Sequence, residues 1–234
     1  MEGLASTAAV FFDVDFTLIY PGPRFQGLGY QQSCAEHGIA IDASRFELAV
    51  RQASSALESA DQLYDDAIFV NYTRCIIELM GGAGAAVEAV ARRLYEEWAE
   101  HQHFELYDDV AGSLRALSTA GVRLGLISNS HRCLDSFRSH FELDELISVT
   151  VSSLEQGFLK PHPSIFRTAL ERAGVRADEA VMVGDSLAHD VAGARRVGMR
   201  GVLLVRGGDP PDVDAGIDVI RTLTELPVLL DRLR

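Results

Sequence analysis

The sequence predicts an α/β fold in which a mostly parallel sheet flanked by helices is interrupted by an inserted all-helical domain. Three observations predict it. After residue 106, short apolar runs alternate with helical stretches, the pattern of a parallel sheet with helices on both faces. Residues 8–15 form an isolated apolar run ending in two acids, which reads as a buried strand. From residue 22 to 105 the pattern is helical with no good strand, so the first strand belongs with the second half of the chain.

The elements follow in order. Within the helical block, apolar spacing predicts helices over 28–36, 43–57, 66–80 and 85–98, with Gly81-Gly82 as a stop between the last two. Beyond it, strands are predicted over 122–127, 146–151, 180–183 and 202–205, with a weaker one over 218–220. The helices between them are predicted over 110–120, 130–141, 163–173 and 188–197. Gly121, Gly174 and Gly198 stand where left-handed C-terminal caps belong. Pro210-Pro211 marks a loop. Residues 1–19 and 107–234 are thus expected to form the core, and residues 20–106 the insert.

Composition narrows the class. A chain of 234 residues is expected to hold between one and two domains. With 47% hydrophobic and 24% charged residues, it is neither disordered, nor collagen-like, nor a disulfide scaffold. Its 21 Lys+Arg against 34 Asp+Glu leave a net charge of −13, which disfavours duplex nucleic acid and anionic membranes as partners. Cys34, Cys75 and Cys133 are odd in number and lack a CxxC spacing, so a reducing compartment is expected. The first ten residues lack the basic cluster of a signal peptide, and no run of 18 apolar residues occurs. The expected location is cytoplasmic.

In an open parallel sheet, reactive groups collect past the carboxyl ends of the strands. Those positions hold Asp13, Asp15 and Thr17, then Ser128 and Asn129, then Lys160 ahead of Pro161, then Gly184-Asp185 with Asp190 beyond. Singly, each reads as a turn former, a helix cap or a solvated lysine. Together they bring several carboxylates to one sheet edge, where they repel unless a cation lies between them. Oxygen-only ligands point to Mg²⁺ shared with a substrate phosphate.

The residues DVDFT at 13–17, SN at 128–129, KP at 160–161 and GDSLAHD at 184–190 resemble the motifs of the haloacid dehalogenase-like hydrolases, in the family's order and over essentially the whole chain. The resemblance implies a Rossmann-like core and a helical cap of the family's first type. It implies a phosphatase of small phosphorylated metabolites. Asp13 would be the nucleophile and Asp15 the general acid and base. Thr17, Ser128 and the Asn129 amide would bind the phosphoryl oxygens, and Lys160 would neutralise the transferring group. Asp13, the Asp15 carbonyl and Asp185 would hold Mg²⁺, with Asp190 supporting from behind. Asp15 separates phosphatases from dehalogenases, because an alkoxide leaves poorly without a proton and a halide leaves unaided. A phosphomutase or phosphotransferase of the same superfamily, a 2-haloacid dehalogenase and a non-catalytic binding protein are the alternatives.

Phe16 departs from the family's commoner Gly, His162 from its Asp and His189 from its Asn. His131, His162 and His189 read as capping or surface residues, or as contacts to a second polar group of the substrate. In the insert, Tyr20, Arg24, Gln26, Tyr30, Asn71, Tyr72 and Arg74 are polar candidates, with Arg24 and Arg74 either anion contacts or solvated. Trp98 reads as core or hinge. The assembly is expected to be a monomer or homodimer.

Overall fold

The computed structural model describes residues 7–57, 62–209 and 211–232; Pro210 of the predicted Pro-Pro loop and the two chain ends, 1–6 and 233–234, lie outside the described residues. Its strands are β1 (Ala9–Phe12), β2 (Ile19–Pro21), β3 (Phe104–Leu106), β4 (Arg123–Ser128), β5 (Ile147–Ser152), β6 (Ala180–Gly184), β7 (Arg200–Leu204) and β8 (Asp218–Ile220). Six of them form one parallel sheet in the order β5-β4-β1-β6-β7-β8. β1 is central, with Phe12 in register with Leu126 of β4 on one side and Val183 of β6 on the other. All four of its side chains are buried, which is why the strand reads as an unbroken apolar run.

The helices are α1 (Gly27–Ala35), α2 (Phe46–Ala53), α3 (Asp66–Leu79), α4 (Val87–Glu97), α5 (Val110–Thr119), α6 (Leu134–His140), α7 (Ser153–Gln156), α8 (Pro163–Ala173), α9 (Ala192–Arg196) and α10 (Leu226–Arg232). α8 packs on β4 and β5, and its Ile165, Phe166 and Ala169 join Phe11, Ile127, Val151 and Met182 in one buried cluster. α8 starts on Pro163 behind a His162 cap and ends at Gly174 with φ of 63°, the left-handed turn that glycine adopts without steric cost.

The chain divides into two compact units, Met1–Tyr20 with Leu106–Arg234, and Pro21–Glu105. The second unit contains α1 to α4. α3 packs against α2 and α4 through Val70, Ile76, Ile77, Val90, Ala91 and Leu94, all buried. Trp98 belongs to an aromatic cluster of this unit, its ring 4.6 Å from Phe25 and 4.9 Å from Phe104. Arg24 donates to Glu97 at 2.6 Å and to Ser33 at 2.5 Å, and Arg74 pairs with Glu78 at 2.6 Å. Both arginines are therefore engaged inside the unit rather than simply solvated.

Several boundaries differ from expectation, for physical reasons. The first strand ends at Phe12 rather than at residue 15, because Leu18 and Ile19 both donate to the Val14 carbonyl and close a turn there. The helix predicted from 130 begins at Leu134, leaving 130–133 as a loop. The helix predicted over 43–57 is α2 flanked by two 3₁₀ turns. The helix predicted from 188 opens as a π turn, Leu187–Val191, before α9. Ser186 causes this: its carbonyl accepts from both Asp190 and Val191, and its side chain caps the His189 N–H. β3 lies where no strand was expected; three residues are too few to show a period. No helix among the described residues is long and apolar enough to cross a membrane. All three cysteines are free thiols.

Candidate active site

The sheet delivers its chemistry at one edge. Past β1, Asp13 stays buried and its N–H still pairs with the Val183 carbonyl of β6. Its Oδ1 accepts from Lys160 Nζ at 2.5 Å, and its Oδ2 from Thr17 Oγ1 at 3.3 Å. Lys160 is itself buried, and its ammonium also reaches the Ile127 carbonyl at 2.9 Å and Asp190 Oδ1 at 2.8 Å. Three oxygens therefore hold one cation. Burial alone would lower the Lys160 pKa, but Asp13 and Asp190 outweigh it, so the pKa is raised and the ammonium keeps its proton.

Asp190 is buried under the π turn. Its Oδ2 accepts the Ser186 N–H at 3.0 Å, and a Cβ on Gly184 would overlap its carboxylate. Asp13, Asp185 and Asp190 place carboxylate oxygens within 4.8 Å of one another. Asp185 is exposed at the rim, yet loss of water around its inner side, and then Asp190, push its pKa up to about 6. Burial, and then the neighbouring carboxylates, raise Asp13 well above the usual range despite Lys160. Three carboxylates thus share this edge with one ammonium. That local excess, on hard oxygen donors with one exposed ligand able to keep waters, fits a small divalent cation.

Ser128 ends β4 fully buried, and its Oγ has no hydrogen-bond partner among the described residues. A buried hydroxyl left so is a site for an incoming acceptor. Asn129 is placed differently from expectation. Its side-chain amide grips the Lys160 backbone, Oδ1 accepting from Lys160 N–H at 2.6 Å and Nδ2 donating to the Lys160 carbonyl at 3.1 Å. Both ends of that side chain thus help position Lys160.

Asp15 is half-buried and carries a cation of its own. Arg132, 1% exposed, donates from its guanidinium to Asp15 Oδ1 at 3.0 Å. Sequence reasoning missed Arg132, although it lies three residues past Asn129 in a motif loop. It also missed Arg206, just past β7. Arg206 donates twice to the Thr17 carbonyl, at 2.9 and 2.6 Å, pairs with Asp109 at 3.0 Å and stacks over Tyr107. His162 caps α8 and stacks on Phe158 at 4.0 Å, and His189 pairs with Ser186 Oγ at 3.1 Å, so both have local capping contacts.

The family described as haloacid dehalogenase-like hydrolase matches residues 7–198. The chain belongs to the haloacid dehalogenase-like hydrolases. It is 29% identical over 231 residues to haloacid dehalogenase-like hydrolase domain-containing protein 3 of Danio rerio, covering 94% of this chain and 95% of that one. It is 30% identical to the glyceraldehyde 3-phosphate phosphatase of Methanopyrus kandleri, covering 93% and 98%. The crystal structure of a phosphatase of this superfamily from Thermococcus onnurineus is 28% identical, with a TM-score of 0.64 over 95% of this chain and 97% of that one. In this haloacid dehalogenase-like hydrolase, Phe16 stands at φ of 62°, the left-handed region, and the residue is 46% exposed. The turn that carries Asp15 therefore has the geometry glycine prefers, and here a phenylalanine is forced into it.

Proposed function

We infer that this hydrolase is a Mg²⁺-dependent phosphatase of small phosphomonoesters, working through an aspartyl-phosphate on Asp13. The observation that carries this reading is the Asp13 carboxylate held between Lys160 at 2.5 Å and Thr17 at 3.3 Å, beside the three-carboxylate cluster.

The residues divide the work. An Asp13 oxygen attacks phosphorus as the ester P–O bond breaks, and Asp15 gives its proton to the departing alkoxide. The Thr17 and Ser128 hydroxyls donate to the phosphoryl oxygens, and Lys160 offsets their charge. Asp15 then takes a proton from water as that water attacks phosphorus, and the bond to Asp13 breaks to release phosphate. Asp13, Asp185 and the Asp15 carbonyl would hold Mg²⁺, with Asp190 behind them anchoring Lys160. When bound, the ion supplies charge neutralisation between an anionic nucleophile and an anionic substrate. Asp15 supports a phosphatase over a dehalogenase, since a halide needs no proton. The named activity of the Methanopyrus kandleri relative supports a small phosphorylated substrate. The net charge of −13 does not oppose one, because the charge that matters is the local one.

The test is phosphate release from p-nitrophenyl phosphate with Mg²⁺ and with EDTA, in the wild type and in Asp13→Asn. The expected result is turnover that needs Mg²⁺ and is lost in the variant. Turnover by Asp13→Asn close to wild type would overturn the reading.

A further inference from the structure

We propose that Arg132 is a positioning residue that fixes the Asp15 carboxylate so that one oxygen alone faces the proton transfer. The inference rests on the reading of Asp15 as the group that protonates the leaving oxygen.

Four observations carry it. Arg132 is among the largest fully buried side chains of the molecule, and burying a guanidinium costs several kcal/mol unless it is paired and hydrogen-bonded. Its charge meets Asp15 Oδ1 at 3.0 Å across 117 residues of sequence. The loop behind it is tied down: Ser130 Oγ accepts the Arg132 N–H at 2.9 Å, and the Ser130 carbonyl accepts from Ser153 Oγ and from Leu154 N–H, both at 3.4 Å. The backbone on either side of Asp15 is tied as well: Thr17, Leu18 and Ile19 all donate to the Val14 carbonyl, so the Asp15 side chain hangs from a fixed turn and meets a fixed guanidinium. The two acids of the first motif thus each have a cation, Lys160 for Asp13 and Arg132 for Asp15.

The guanidinium keeps its protons throughout and transfers none. Held through Oδ1, Asp15 presents Oδ2. The proton leaves Oδ2 for the alkoxide as the ester P–O bond breaks, and Oδ2 regains one from the attacking water. Arg132 acts on the proton transfer through Asp15.

The test separates placement of an acid from general stability by the leaving group. p-Nitrophenolate leaves without a proton, whereas the alkoxide of glycerol 2-phosphate needs one. kcat and KM are measured on both esters for the wild type, Arg132→Met, Arg132→Lys and Asp15→Asn. For Arg132→Met, kcat on glycerol 2-phosphate is expected to fall at least about tenfold further than on p-nitrophenyl phosphate, within the range general acids contribute. KM should change less, and Arg132→Lys should recover part of the loss. Equal losses on both esters in Arg132→Met, with Asp15→Asn selective, would overturn the inference and leave the reading of Asp15 standing. No selectivity in Asp15→Asn would overturn both. If neither arginine variant folds, Arg132 is a structural residue and the inference falls.

Discussion

Asn129 holds Lys160 by its backbone from both sides, accepting its N–H at 2.6 Å and donating to its carbonyl at 3.1 Å. The lysine ammonium can then reach three oxygens at once, because the strand-end residue 31 positions earlier sets where its chain begins. Asn129→Ala removes both bonds and leaves buried backbone groups unmatched, at a cost of about 1–3 kcal/mol. The expected loss in kcat is about 10–100-fold, the scale seen when a group that orients an active-site residue is removed. Steady-state kinetics and a thermal melt read the two effects separately. A variant that keeps wild-type kcat would show that the clamp is structural only.

A second expectation concerns Gly184. A Cβ there would overlap the buried Asp190 carboxylate, which has no room to retreat because it is bonded to Ser186 and paired with Lys160. Gly184→Ala should therefore cost about 1–3 kcal/mol through overpacking. It should also displace Asp190 from Lys160, so activity should fall further than stability explains. Full activity at a temperature well below the variant's Tm would rule this out.

Phe16 offers a cleaner stability comparison. Phe16→Gly and Phe16→Ala remove the same half-exposed ring but differ in what φ of 62° costs them. Glycine adopts that region freely, while a side chain there costs about 1–2 kcal/mol. Phe16→Gly should be more stable than Phe16→Ala by about 1 kcal/mol in chemical denaturation. Equal midpoints would mean the turn relaxes once the ring is gone.

The middle of the sheet was legible because its central strands are interior and parallel. Ala9–Phe12 and Ala180–Gly184 are buried on both faces and so are apolar throughout. The strand ends were legible for the same reason, since Asp13, Ser128 and Asp185 interrupt such runs. What the sequence concealed has two causes. Some features are too short to carry a period: β2 and β3 have three residues each, and the π turn at Leu187–Val191 differs from an α turn by a single residue. Others depend on which distant side chains meet. Arg132 faces Asp15 across 117 residues, and the side chain of Asn129 turns to the Lys160 backbone rather than to the open edge. Burial separates Arg132 from an ordinary loop arginine, and burial of a single loop residue leaves no mark in composition.

The carboxylate cluster sets a pH dependence whose sign can be worked out. Asp185, exposed at the rim, has its pKa pushed up to about 6 by loss of water around its inner side and by Asp190, and Asp13 is raised well above the usual range by burial and its neighbouring acids. Where the folded pKa exceeds the unfolded one, the folded state binds more protons, and stability falls as pH rises. The contribution of Asp185 is thus fully present below about pH 4, the ordinary carboxylate range, and is lost as pH rises through about 6. Asp42, Glu97, Asp109 and Asp178 are shifted the other way, so their contributions are lost only at the acid end, below the ordinary carboxylate range. Lys160 is raised and changes only at strongly alkaline pH. Between pH 5 and 7.5 the cluster therefore acts largely alone among these groups. The metal-free protein should melt lower at pH 7.5 than at pH 5, and Asp185→Asn should flatten the difference. A divalent cation competes with those protons, so saturating Mg²⁺ should raise Tm more at pH 7.5 than at pH 5. Scanning fluorimetry of both proteins at both pH values, with EDTA or with Mg²⁺, measures all of this. A Mg²⁺ shift that is the same at both pH values, or undiminished in Asp185→Asn, would place the cation elsewhere.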